Sequence, residues 1–179
     1  MAEVNIPRLD LNDYVYGTPE QKKKFSDDLG KAYNDTGFVT IANHGLSPQL
    51  IEELYHEVKN FFALPEATKL AYEKPELAGQ RGYTSKGKEK AKDSKTPDLK
   101  EFWQRGQTVS DGDVVKNEYP DNIDVRENPR FNSVTREVYE SLEASGKHLL
   151  RAIANYLALP ENYFDNKVHN GNSILRAIH

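Results

Sequence analysis

Ten residues, Thr36-Gly-Phe-Val-Thr-Ile-Ala-Asn-His-Gly45, constrain this chain more than any other segment. Gly37 suits the position after a helix C-terminus, where a positive φ is wanted. Phe38 to Ile41 is a short β-branched and aromatic run that predicts a strand, and Asn43-His44-Gly45 then breaks it. Ser47-Pro48 restarts a helix, with Ser47 as N-cap and Pro48 in the first turn. Helix, strand, turn and helix within so few residues mix the two element types, and the expected class is α+β.

The flanking pattern extends that reading. Thr18-Pro19 opens a helix running to about Asp35, with Phe25, Leu29, Ala32 and Tyr33 on one face. Upstream, Val4 to Leu11 is apolar, and Pro7 restricts it to a sheet edge or the end of a strand. Pro48 to Phe62 repeats the helical pattern through Leu50, Leu54, Val58, Phe61 and Phe62, and Pro65 to Tyr72 predicts another short helix. Residues 73–120 lose periodicity and read as a long loop with short strands around Arg81–Thr84 and Glu101–Val109. A long amphipathic helix is expected from Pro129 to about Leu159. Ser145 and Gly146 fall in its apolar stripe and would let another backbone approach. Ser173 to His179 ends the sequence as a strand.

Of the 179 residues, 37% are hydrophobic and 29% charged, which fits a folded chain and not a disordered one. The absence of cysteine excludes disulfides and thiolate metal sites. No apolar run is long enough to span a membrane, and Met1-Ala-Glu-Val-Asn5 does not read as a signal peptide, so the expected location is cytoplasmic. A formal charge of −4 argues against nucleic acid as partner. The five lysines of Lys86–Lys95, without interleaved aromatics, read as a solvated loop.

The motifs taken in order resemble the N-terminal half of an iron(II)- and 2-oxoglutarate-dependent dioxygenase of the isopenicillin N synthase-like group. They are Ile6-Pro-Arg-Leu-Asp-Leu11; Gly37-Phe-Val39 with Asn43-His-Gly45; Phe61-Phe-Ala-Leu-Pro65 followed by Lys69; Gly82-Tyr83; Lys100-Glu-Phe102; and Leu175-Arg-Ala-Ile-His179. The resemblance implies helices wrapped on a double-stranded β-helix, or jelly-roll, barrel, with residues 1–172 as the N-terminal region and 173–179 as the start of the first barrel strand. Most of the barrel is expected to be missing. The family's iron ligands are His-x-Asp and a distant His, and an Arg-x-Ser binds 2-oxoglutarate; neither motif occurs in this sequence. Iron(II) and 2-oxoglutarate are therefore expected for the complete enzyme, which would oxidise a small organic substrate. Neither is expected to bind this chain alone, and no catalytic or metal-ligating residue is assigned.

The candidate substrate-binding residues are Arg81, Tyr83, Arg176 and Ile178. Arg81 offers a fork for a carboxylate and Tyr83 a ring and hydroxyl on a glycine-bent loop; the resemblance puts this stretch near the mouth of the active site. Arg176 and Ile178 share one side of the last strand by its period of two, and the resemblance turns that side toward substrate and co-substrate. His44 reads as a turn residue, His56 with Glu52 as a surface pair, and Trp103 as packing. An alternative is a non-catalytic helical interaction module derived from the same family, self-associating through the surface the barrel would cover.

Overall fold

The computed structural model describes residues 5–89 and 98–179. Their contacts divide into two compact units: one runs to Leu46 and adds Glu140–His169, the other comprises Ser47–Tyr139 with Asn170–His179.

In the first unit, strand β1 (Arg8–Asp10) pairs in parallel with β2 (Thr40–Ala42), Leu9 opposite Ile41. Asp10 then caps the short helix α1 (Leu11–Val15) by accepting from the Asn12 N–H at 2.9 Å. Five residues are too few for periodicity to reveal, so the sequence pattern does not predict α1. Helix α2 (Pro19–Thr36) opens on a capping box between Thr18 and Gln21. It stops at Gly37, whose φ of 74° is left-handed and whose N–H reaches the Tyr33 carbonyl.

The strand expected at Phe38–Ile41 starts two residues later, and Phe38 is 67% exposed. The Thr36 hydroxyl bonds both the N–H and the carbonyl of Phe38, holding it in the helix exit. Asn43, at φ 53°, donates to both oxygens of Asp10 at 2.8 Å, which lowers the Asp10 pKa. Leu11, Tyr14, Phe25 and Leu29 form the core with Ala152. The Ser145 hydroxyl meets the His44 carbonyl at 2.6 Å, the close approach expected of it. Gly146 has nothing within 4 Å of where a Cβ would stand.

The second unit holds α3 (Pro48–Phe62), capped by Ser47 through the Leu50 N–H, and α4 (Glu66–Leu70). Its sheet is antiparallel in the order β3-β4-β5: Gly82–Thr84, Phe102–Gly106 and Ile174–Ile178. Two of these strands come from the stretch expected mainly as loop, and every residue of β4 is buried. Phe61 lies at the centre of the core, stacked on Phe131 at 5.0 Å and edge-on to Trp103 at 4.8 Å. Tyr72, Tyr83 and Val125 complete it. Truncating a buried ring in such a cluster costs about 3–5 kcal/mol.

The long helix α5 (Pro129–Tyr156) enters through Asn128, which accepts from the Phe131 N–H at 3.1 Å. It ends near Tyr156 rather than Leu159 because Ala158 turns left-handed, at φ 55°.

Candidate functional site

Strand alternation gives the β3-β4-β5 sheet two chemically different faces. Tyr83, Trp103 and Ala177 are aligned across the strands and face the aromatic core. Thr84, Phe102 and Ile178 form one row of the opposite face, and Gln104 with Arg176 belongs to the next.

At the start of β4, on the core side, stands Glu101, 2% exposed. One of its oxygens accepts from Lys69 Nζ at 2.7 Å and from the Tyr83 hydroxyl at 2.5 Å. The other meets His179 Nδ1 at 2.9 Å and Lys86 Nζ at 3.8 Å. Lys69 is itself buried and also donates to the Phe62 carbonyl. His179 stacks on Phe62 at 5.1 Å, and its backbone pairs with Glu101 in both directions. Burial alone would raise the Glu101 pKa, but hydrogen bonds from Lys69, Tyr83 and His179, with the Lys69 charge, bring it down to about 2. The Tyr83 hydroxyl moves the opposite way, raised by burial and by its bond to the carboxylate. This is a satisfied charged network that ties α4, β3, β4 and the end of β5 together.

Arg81 is fully buried. Its guanidinium donates to the Gln80 carbonyl, to Gln107 Oε1 at 2.8 Å and to Asn172 Oδ1 at 3.4 Å, while Nε has no partner among the described residues. Burial lowers its pKa. The group packs against Gly106, where a Cβ would stand 2.1 Å from it. The fork expected to meet a ligand carboxylate is thus engaged by uncharged acceptors inside the protein. Tyr83 is likewise buried, its hydroxyl committed to Glu101.

Arg176 and Ile178 are placed differently. Both are on the exposed side of β5, Ile178 at 57% exposure. The Arg176 guanidinium sits 4.2 Å over the Phe102 ring and pairs with Glu89. Glu89 also lines an open cavity of about 280 Å³ whose wall includes Glu73, Gly79, Thr84 and Lys88. Thr84 is buried, yet among the described residues its hydroxyl has no partner. Neighbouring Gln104 is anchored to the Gly79 carbonyl, and Glu73 to the N–H and hydroxyl of Ser85. The four sequence candidates therefore split into two buried supports and two residues on an accessible face.

His44 acts within its turn, Nδ1 accepting from the Leu46 N–H at 3.4 Å. His56 pairs with Glu57 at 3.8 Å rather than with Glu52. Trp103 is 1% exposed in the core. Of the lysine-rich loop, residues 90–97 lie outside the described residues; Lys86 and Lys88 approach Glu101 and Glu73. Among the described residues, no three His, Cys, Asp or Glu are grouped to hold a metal ion, and no helix is long and apolar enough to cross a membrane.

Residues 6–126 match the family model described as the N-terminal region of the non-haem dioxygenase in morphine synthesis. The chain belongs to this dioxygenase family. It is 31% identical to the 2-oxoglutarate-Fe(II) type oxidoreductase ppzD of Metarhizium rileyi over 99% of its own length and 52% of that protein's. It superposes on a 2OG-Fe(II) oxygenase family protein from Caulobacter crescentus with a TM-score of 0.85 and 32% identity, covering 98% of this chain and 56% of that one. A full-length Neurospora crassa protein, solved in complex with alpha-KG and thymine, aligns with a TM-score of 0.74 and 26% identity, covering 98% and 56%. The dioxygenase chain thus spans about half the length of the relatives it matches.

Lys69 and Glu101 stand in the motifs quoted above, but nothing in their spacing of 32 residues shows that they meet. Thr84 and Glu89 carry no sequence signal, because an unpartnered hydroxyl is visible only once its neighbours are in place.

Proposed function

We propose that the complete protein is an iron(II)- and 2-oxoglutarate-dependent dioxygenase that oxidises a small organic substrate, and that this chain forms the helical frame and one wall of its substrate site. Family membership supports the reaction class. The single observation that supports the location is on the outer face of the sheet, where Arg176 pairs with Glu89 and Glu89 lines an open cavity with Thr84, whose buried hydroxyl has no partner among the described residues. On this reading Arg176 and Ile178 touch substrate, while Arg81 and Tyr83 hold the strands that present them.

Iron with 2-oxoglutarate supplies oxygen activation when bound. On this reading no residue of this chain is given a part in that chemistry.

Oxygen uptake with release of succinate from 2-oxoglutarate is expected from the complete protein supplied with iron(II), and not from the 179-residue chain. Succinate formation by the chain alone would overturn the assignment of this segment as frame. No turnover by the complete protein across a panel of small substrates would overturn the enzyme reading.

One observation favours self-association as a second reading. Strand β5 has a single neighbour among the described residues, and it exposes Ile174 and Ile178. A concentration-dependent dimer in sedimentation is the expected result; a monomer at all concentrations would remove it.

A further inference from the structure

Resting on the substrate wall proposed above, the geometry points to a narrower statement: Arg176 is the anchor for a carboxylate on the substrate, and Glu89 occupies that anchor in the free protein.

The two arginines of this sheet explain why. Arg81 is fully buried, and its two terminal nitrogens donate to Gln80, Gln107 and Asn172. Arg176 keeps its side chain 35% exposed with the guanidinium over the ring of Phe102, and Glu89 is the carboxylate it meets. A planar fork stacked on an aromatic ring is oriented before any ligand arrives, which suits bidentate capture of a carboxylate. Glu89 satisfies that geometry from within the chain. Its own side chain is 42% exposed, so water can replace Arg176 as its partner when it turns away.

The space beside the pair fits the same ligand. Glu89 lines the 280 Å³ cavity together with Lys74, Lys88 and Glu73. With Glu89 swung out, Lys74 and Lys88 face Glu73 as the remaining carboxylate among the described lining residues, so the local charge turns positive, and the released Arg176 adds to it from beside the cavity. Glu73 is already engaged by Ser85 and is 3.9 Å from Lys88. Thr84, buried and with its hydroxyl unpartnered, can donate one hydrogen bond into this space. The uncharged body of the ligand has the exposed Ile178 side chain to lie against.

The experiment is a calorimetric titration of the full chain with benzoate, which joins a carboxylate to a flat apolar body, and with the neutral benzamide. Benzoate is expected to saturate one site and benzamide to bind at least about tenfold more weakly. Glu89→Gln should tighten benzoate about tenfold by removing the internal competitor. Arg176→Gln should abolish binding, and Arg176→Lys should retain part of it, which separates loss of the fork from loss of the fold. Equal binding of benzoate and benzamide, or unchanged benzoate affinity in Glu89→Gln or Arg176→Gln, overturns the proposal. So does displacement of benzoate by 2-oxoglutarate at equal or lower concentration, since the anchor would then belong to the co-substrate. None of these titrations needs iron or turnover, so failure of the dioxygenase reading would show separately, as absence of succinate from the complete protein.

Discussion

The two faces of one three-stranded sheet treat charge in opposite ways. At the core face Glu101 is closed off, with Lys69 and Tyr83 on one oxygen and His179 and Lys86 on the other. On the outer face Arg176 shares a partly exposed pair with Glu89, which lines a cavity with a buried hydroxyl that has no partner among the described residues. A buried pair is costly to break, because the surviving charge stays desolvated, whereas an exposed pair contributes about 0–1 kcal/mol and can be exchanged for a ligand. The first arrangement builds a frame and the second keeps a place open.

The largest effect should come from opening the frame. Glu101→Gln leaves the Lys69 ammonium buried beside a neutral amide and is expected to lower stability by about 3–5 kcal/mol, measured by urea unfolding. A loss under about 1 kcal/mol would mean that the network is incidental. Acid probes the same group. The Glu101 pKa is depressed in the folded protein, so its contribution is complete above the unfolded carboxylate value and is lost as pH falls toward about 2. Stability from this group should therefore hold at about pH 5 to 7 and decline by roughly 2–3 kcal/mol below about pH 4.5. The decline should be shallower in Glu101→Gln.

Gly106→Ala is a smaller disturbance. A Cβ there would run into the Arg81 guanidinium, whose hydrogen bonds leave little room to retreat, so a loss of about 1–3 kcal/mol is expected in thermal melts. Smallest, and opposite in sign, is Thr84→Val. It deletes a buried hydroxyl that has no partner and should leave stability unchanged or raise it by about 1 kcal/mol, while weakening benzoate binding several-fold. A clear loss of stability would show that the hydroxyl supports the fold.

The same contrast separates what can be read from the sequence from what cannot. Helices α2 and α3 announce themselves through Thr18-Pro19, Ser47-Pro48 and the apolar spacing that follows, all local signals. The short strands at Gly82 and Phe102 are legible as strands within a loop, though Phe102–Gly106 is not legible as the buried centre of a sheet, because its second partner β5 lies about 70 residues downstream. Arg81 and Arg176 look alike in sequence; only their burial and partners distinguish the internally bonded residue from the proposed anchor. Tyr83 reads as a surface ring because glycine precedes it, but the φ of 77° at Gly82 turns the chain so that the ring enters the core.

The most direct test of this division is to measure unfolding and benzoate binding side by side in Glu101→Gln and Arg176→Gln. The account predicts that Arg176→Gln loses binding while its stability stays within about 1 kcal/mol of the parent, and that Glu101→Gln loses several kcal/mol yet still binds benzoate below its melting temperature. The reverse pattern, an Arg176→Gln chain that is badly destabilised and still binds benzoate, would contradict it.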